Sequence, residues 1–223
     1  MEFGNFQRFR KKMDRENKLI RLLVATGNQK KLGELQDLLR DFPIQLLSLK
    51  DFPGIQEVEE TGLTFEENAR IKALGYASAS GCLTLGEDSG ISCDALDGRP
   101  GVFSARFSGH EKDDQANNRK LLESLENVPD DKRTAHYTAA IVLAEPGREI
   151  FSAIGKVHGF INREPCGHGG FGYDPIFYYP PFGKTFAEVP IERKHEVSHR
   201  SKALRKTRMF LEQYVIDRVR NGQ

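Results

Sequence analysis

Several short segments of this 223-residue chain combine residue types suited to chemistry rather than packing. Thr26-Gly27-Asn28-Gln29-Lys30-Lys31 follows an apolar run and precedes a helical pattern. A strand end feeding a helix start presents unpaired N–H groups and a positive dipole end. Gly27 lets an anion approach the backbone, and Lys31 can reach back over it. The plain alternative is an ordinary strand–helix turn with surface lysines. Glu87-Asp88-Ser89-Gly90 reads as an acidic turn between two short apolar strands. Paired carboxylates suit a hard cation such as magnesium that also holds phosphate, with one acid left to polarise water. A solvated turn is the competing reading. Glu59-Glu60-Thr61-Gly62 adds further acids in a loop, as acidic loops commonly do.

Gly170-Phe171-Gly172-Tyr173-Asp174-Pro175 places glycines around aromatics. A planar heterocycle could stack on such a ring, with backbone N–H groups donating to a keto oxygen; a structural aromatic loop is the alternative. Near the C-terminus, Lys194 precedes Ser198-His199-Arg200. With Ser198 as N-cap, His199 and Arg200 sit in a first helical turn, where positive charge opposes the helix dipole. A broken local rule of this kind often marks a site, and a bound anion or polar ligand would resolve it. A tolerated surface cost explains it equally simply. Asn68 and Lys72, four apart, share one helix face.

The elements that must carry these groups follow from periodicity. Leu19 to Ala25 reads as a buried strand, and a helix begins near Asn28 and stops at Pro43. Thr64 and Glu67 form a capping box for a helix that Gly81 terminates. Cys82–Leu85 and Ile91–Leu96 read as short strands, and Gln115–Leu125 as a helix. Ala135–Leu143 and Glu149–Val157 pair across the Glu145–Arg148 turn, so the sheet of this α/β fold is mixed. A Gly- and Pro-rich stretch from Arg163 to Lys184 precedes a last helix opened by Ser198. The run Lys202, Arg205, Lys206, Arg208 reads as a solvated helix face. Residues 1–18 read as a disordered extension, leaving 19–223 as a single domain.

Composition narrows the field. Lys plus Arg number 33 against 32 Asp plus Glu, so the basic excess of a nucleic-acid binder is absent. The longest apolar run is too short to cross a bilayer, and no secretory signal opens the chain, so the cytoplasm is the expected location. Three scattered cysteines argue against a disulfide framework or zinc cluster. Gly167-His168-Gly169-Gly170-Phe171-Gly172 matches a dinucleotide fingerprint literally, but Tyr173-Asp174-Pro175 follows where a helix must start. Gly183-Lys184-Thr185 resembles the end of a P-loop, yet Tyr178 stands where that motif needs its first glycine.

In this order and spacing, ATGNQKKLGEL, EETGLTFEENARIKA, EDSGISCDALDGRPGVFSARF, REPCGHGGFGYDPIF and KHEVSHRSKAL closely resemble the inosine triphosphate pyrophosphatase family. The resemblance runs from Leu19 to the C-terminal helix. It implies an elongated, curved mixed sheet with flanking helices, two lobes around a central nucleotide cleft, and a homodimer. It implies magnesium-dependent hydrolysis of ITP, dITP and XTP to the monophosphate and pyrophosphate. Residue by residue, it implies phosphate binding by Thr26, Gly27, Asn28, Gln29, Lys30 and Lys31. Metal binding falls to Glu60 and Asp88, catalysis to Asp88, and a substrate contact to Ser89. Base recognition falls to Phe171, Gly172, Tyr173 and Asp174, with further contacts from Lys194, His199 and Arg200. Glu87 stands where many members carry Asp. A pyrophosphatase for modified pyrimidine triphosphates and a nucleotide-binding regulatory module are the competing readings; an RNA-binding module on the basic C-terminal helix fits less well.

Overall fold

The structure is a computed structural model, and it describes residues 20–39, 44–109 and 113–220. The 1–18 extension, Leu19, Phe42 and the helix stop at Pro43 lie outside the described residues. Strand β1 (Ile20–Ala25) runs through the Thr26–Asn28 turn into helix α1 (Gln29–Leu39), and β2 (Ile44–Ser48) returns beside β1. The pattern IQLLS is too short to announce β2 in the sequence; parallel pairing with β1 makes it a strand. Helix α2 (Phe65–Ser80) leads to β3 (Leu83–Cys93), and α3 (Asp114–Ser124) leads to the hairpin of β4 (Thr134–Glu145) and β5 (Arg148–Ile161). Short strands β6 (Phe177–Tyr179) and β7 (Lys184–Thr185) precede α4 (Ile191–Val197) and the long α5 (His199–Arg220). The seven strands order as β2-β1-β3-β4-β5-β6-β7, parallel from β2 to β3 and antiparallel thereafter.

The three predicted caps are present. The Thr64 side chain accepts the Glu67 amide, Glu67 returns to the Thr64 amide, and Gly81 closes α2 in the left-handed region at φ 69°. Ser198 Oγ accepts the Ser201 amide at the start of α5. The acidic segment corrects the sequence expectation. Glu87-Asp88-Ser89-Gly90 is not a turn between two strands but the middle of one strand, paired with β4 continuously from Thr84↔Ala144 to Cys93↔Ala135. Leu96 belongs to a single turn of 3-10 helix after it. A polar run reads as a turn only where its charges need water; here buried cations take water's place.

Two glycines bring helices close to the sheet on opposite faces. A Cβ on Gly86 would lie 2.3 Å from Ala69 O, so α2 packs tightly through Ala69, Ala73 and Ala77 against Ala140, Val142 and Ala144. A Cβ on Gly155 would lie 2.1 Å from His199 O, which seats the start of α5 against β5. Close approach of this kind is what the missing side chain permits. The α5 face carries the larger core, with Leu22, Val24, Leu35, Leu85, Ile141, Leu204 and Leu211 among its buried members. Lys202 and Lys206 are not merely a solvated helix face: their Nζ atoms donate to the carbonyls of Lys156 and Ile154 on β5. Among the described residues, no helix is long and apolar enough to cross a membrane.

Candidate active site

β1 pairs with β3 only as far as Ala25↔Gly86, whereas β3 runs on to Cys93 beside β4. Beyond Gly86 β1 no longer pairs with β3, because its carboxyl end turns into α1; further along, Ser104 Oγ accepts the Ile91 amide and Ser92 bridges Pro100. Open α/β sheets bind ligands at such carboxyl ends. A cavity of about 520 Å³ fills this place. It is lined by Thr26, Gly27, Asn28, Lys31, Glu60, Asp88, Ser89, Phe171, Gly172, Tyr173, Asp174, Lys194, His199 and Arg200, together with Glu87 and Lys72. Of the residues the resemblance assigns to the substrate, Gln29 and Lys30 do not line it, and Asn68, expected beside Lys72, does not line it either. Lys30 instead sits 3.6 Å from Asp114, outside, and 5.6 Å from the centre of the Phe171 ring.

Adjacent side chains on a strand point to opposite faces, and that alternation divides the two central acids. Asp88 faces α2, where Lys72 Nζ lies 3.3 Å from Asp88 Oδ1 and 2.8 Å from Glu60 Oε2, and Asn68 Nδ2 donates to Asp88 Oδ2 at 3.4 Å. Glu87 faces α5, where Arg200 lies 3.2 Å from Oε1 and Lys31 3.1 Å from Oε2. Burial raises the Asp88 carboxyl above its ordinary range, aided by Glu60 and Glu87, while Lys72 and Lys31 oppose the rise. For Glu87 burial also works against charge, but Lys31 and Arg200 outweigh it and hold this carboxyl well below the usual range. Glu87 Oε2 makes no well-formed hydrogen bond despite its ion pair, so it keeps acceptor capacity.

Glu34 is the member that sequence reasoning missed. It lies on α1 two turns past the Thr26 turn and pairs with Arg200, and its Oε1 lies 3.5 Å from Lys194. Burial disfavours its charge, yet His195, Arg200 and Lys194 together hold it well below the usual carboxylate range. A lone acid inside a helical pattern gives no signal of this; only the fold brings residue 34 to residue 200. The positive first turn of α5 is thus neutralised by Glu34 and Glu87, where the sequence suggested that a ligand would do so. The basic side chain is buried and doubly paired, and such networks cost heavily when one partner is removed.

At the other end of the cavity, the aromatic loop is held from within. Asp174 Oδ2 accepts the Phe171 amide at 2.9 Å and Lys194 Nζ at 2.6 Å, and Asp114 Oδ2 accepts the Gly172 amide at 2.8 Å. The Asp174 amide donates to Phe171 O at 3.3 Å. Three loop amides that the sequence offered as donors to a keto oxygen are therefore engaged already. Lys194, Lys30 and Arg200 lie 4.7, 5.6 and 5.7 Å from the Phe171 ring centroid, and of these three Lys194 and Arg200 line the cavity. Tyr137, which the sequence did not single out, stacks on His199 at 4.6 Å with 7° between the rings.

His199 is buried and neutral. Burial pushes its pKa well below the ordinary 6.5, and Arg200 and Lys194 push the same way. An unfolded chain therefore takes up a proton below that ordinary value that the folded chain refuses. Stability contributed by neutral His199 is complete above pH 6.5 and declines as pH falls towards the depressed folded value, with a slope of at most ~1.4 kcal/mol per pH unit. Thermal melts at about pH 7.5 and 5.5, on either side of this onset, should show a smaller acid-side loss in His199→Gln than in the unaltered chain. Equal losses would mean that His199 is not held neutral.

Comparisons with known proteins agree on one family. The Ham1 family profile matches residues 22–210. A Desulforamulus reducens protein named dITP/XTP pyrophosphatase is 50% identical over 197 residues, covering 88% of this chain and 98% of its own. A Shigella flexneri protein of the same name is 44% identical over 204 residues, covering 91% and 99%. Among solved structures, a Coxiella burnetii HAM1 protein superposes with TM-score 0.81 at 39% identity, over 87% of this chain and all of that one. The Mycobacterium abscessus nucleoside-triphosphatase, dITP/XTP pyrophosphatase, gives 0.70 at 43% identity, over 84% and 97%. With the profile spanning most of its length, the chain belongs to the Ham1 family.

Proposed function

We propose that this protein hydrolyses deaminated purine nucleoside triphosphates (ITP, dITP and XTP) to the monophosphate and pyrophosphate. One observation carries the reading. A single cavity joins an end of carboxylates and lysines (Glu60, Asp88, Lys31, Lys72) to an end where cationic donors surround an aromatic ring. The relatives' printed names support the substrate class.

Magnesium fits the first end. Among the described residues no group of three or more His, Cys, Asp or Glu gathers as a metal cage. Glu60 and Asp88 form a carboxylate pair that already shares the Lys72 ammonium. Two carboxylates with the remaining positions left to phosphate and water is the arrangement this small, hard ion favours. Held by Glu60 and Asp88, magnesium would supply neutralisation of phosphate charge.

The chain's own residues do the rest. Lys31 and the Thr26–Asn28 turn at the α1 N-terminus receive the phosphate tail. Asp88 orients a water towards the α-phosphorus and takes its proton. Lys72 keeps the Asp88 carboxylate aimed across the cavity and offsets charge that builds on the phosphoryl oxygens. Phe171 offers its ring to the purine, while Lys194 and Arg200 donate to the 6-keto oxygen. Adenine presents an amino donor there, which sets donor against cation and forgoes hydrogen bonds to charged groups worth about 1.5–3 kcal/mol each. With two such donors, kcat/KM for ITP or XTP should exceed that for ATP by about 10²-fold or more. A panel of ITP, XTP, GTP and ATP with products identified checks this; ATP as the best substrate would reject it. Release of pyrophosphate rather than phosphate identifies the bond, and a need for added magnesium separates catalysis from a regulatory binding role. We further place the enzyme in the cytoplasm, in keeping with its three scattered cysteines, and as a homodimer, following the family resemblance. The half-exposed Phe103 is an apolar side chain that a partner could cover.

A further inference from the structure

We propose that the enzyme also cleaves purine triphosphates whose terminal phosphate is esterified to an aromatic group, seating that group in an apolar chamber beyond the phosphates. The inference rests on the functional reading above and extends it. The cavity does not stop at Lys31 and Glu60. It continues to a wall made of Leu49, Phe52, Ile55, Val58 and Tyr76.

The strand order fixes where this wall lies along the substrate. Crossing the sheet from the base end, the cavity meets Tyr137 on β4, then Asp88 on β3, then the phosphate turn at the end of β1. The next strand is β2, and Leu49 follows directly after its last residue. Neighbouring strands stand about 4.8 Å apart, so the end of β2 lies roughly 10 Å from β3, one strand past β1. On the helix side the same direction holds. Tyr76 is one turn beyond Lys72 on α2, and its hydroxyl accepts the Val58 amide at 3.2 Å, which ties the loop to the helix.

A bare triphosphate has no use for this wall, because its oxygens are served by Lys31 and the α1 N-terminus. The chamber suits a flat, uncharged substituent that gains by leaving water. Glu57, next to Val58 in the chain and also lining the cavity, disfavours extra phosphates there. The chemistry is unaffected by such a substituent. Water forms a bond to the α-phosphorus, its proton goes to Asp88, and the bridge between the α- and β-phosphates breaks. The leaving diphosphate departs with its aryl ester intact.

The probe is ITP carrying a phenyl ester on its γ-phosphate, with IMP and phenyl diphosphate measured as products. The expected kcat/KM is within about tenfold of that for ITP. Filling the chamber by Ile55→Trp, or separately by Leu49→Trp, should lower ester kcat/KM by about tenfold or more while ITP stays within about twofold. Hydrolysis of ITP without hydrolysis of the ester overturns the proposal, as does equal ester cleavage by the unaltered and filled enzymes. Failure on ITP itself would instead overturn the functional reading, and this proposal with it.

Discussion

Asp88→Asn should lower kcat for ITP by about 10²-fold or more, with KM nearly unchanged and the melting temperature close to that of the unaltered chain. Asparagine keeps the size of the side chain and its contact with Asn68 while losing the capacity to take a proton. Lys72 retains Glu60 at 2.8 Å as a partner, so no buried cation is stranded. Burial raises the Asp88 carboxyl, which brings it nearer to the working range of a base than an exposed aspartate. A raised KM with kcat unchanged would point to binding alone, and near-normal turnover would remove Asp88 from the proton transfer. Steady-state kinetics on ITP, with melts as a control, separates these outcomes.

Arg200→Met should be the most destabilising single change in the site. Arg200 is fully buried between Glu34 and Glu87, and it also donates to Ser89 Oγ at 3.1 Å. Removing it leaves two buried carboxylates short of a counter-charge that both share. Breaking a buried ion pair from one side costs about 3–5 kcal/mol. At about 2–4 °C per kcal/mol for a chain of this size, the melting temperature should fall by roughly 6–20 °C. Adding Glu87→Gln should recover part of that loss, because it removes one stranded charge. A fall under about 3 °C would mean the network contributes little to the folded state. Activity should fall as well, since Arg200 is one of the two cavity-lining cations beside Phe171.

The parts of this architecture that were readable in the sequence are the local ones. Thr64 and Glu67 announce their helix because a capping box is complete within four residues. The first strand and its turn show because apolar run, glycine and helical period follow one another directly. Asn68 and Lys72 were placed on one face by spacing alone, and α2 presents both towards Asp88. What failed was long-range. The central strand was cut in two because Glu87 and Asp88 look solvated until Lys31, Lys72 and Arg200 arrive from three other elements. Glu34 was passed over for the same reason, since its partners are about 160 residues away. Short α4 has too few residues for a period to register, yet it carries Lys194 to Asp174. The five segments could be read as one site only through their family resemblance; the fold supplies the physical reason, gathering them where β1 ends beside β3.

The central claim is that water, oriented by Asp88, attacks the α-phosphorus of a deaminated purine triphosphate. Hydrolysis of ITP in ¹⁸O-enriched water, with the label located by mass spectrometry, tests it most directly. The label should appear in IMP, and the pyrophosphate should carry none. Label in the pyrophosphate, or release of labelled inorganic phosphate, would contradict attack at the α-phosphorus and with it the role given to Asp88.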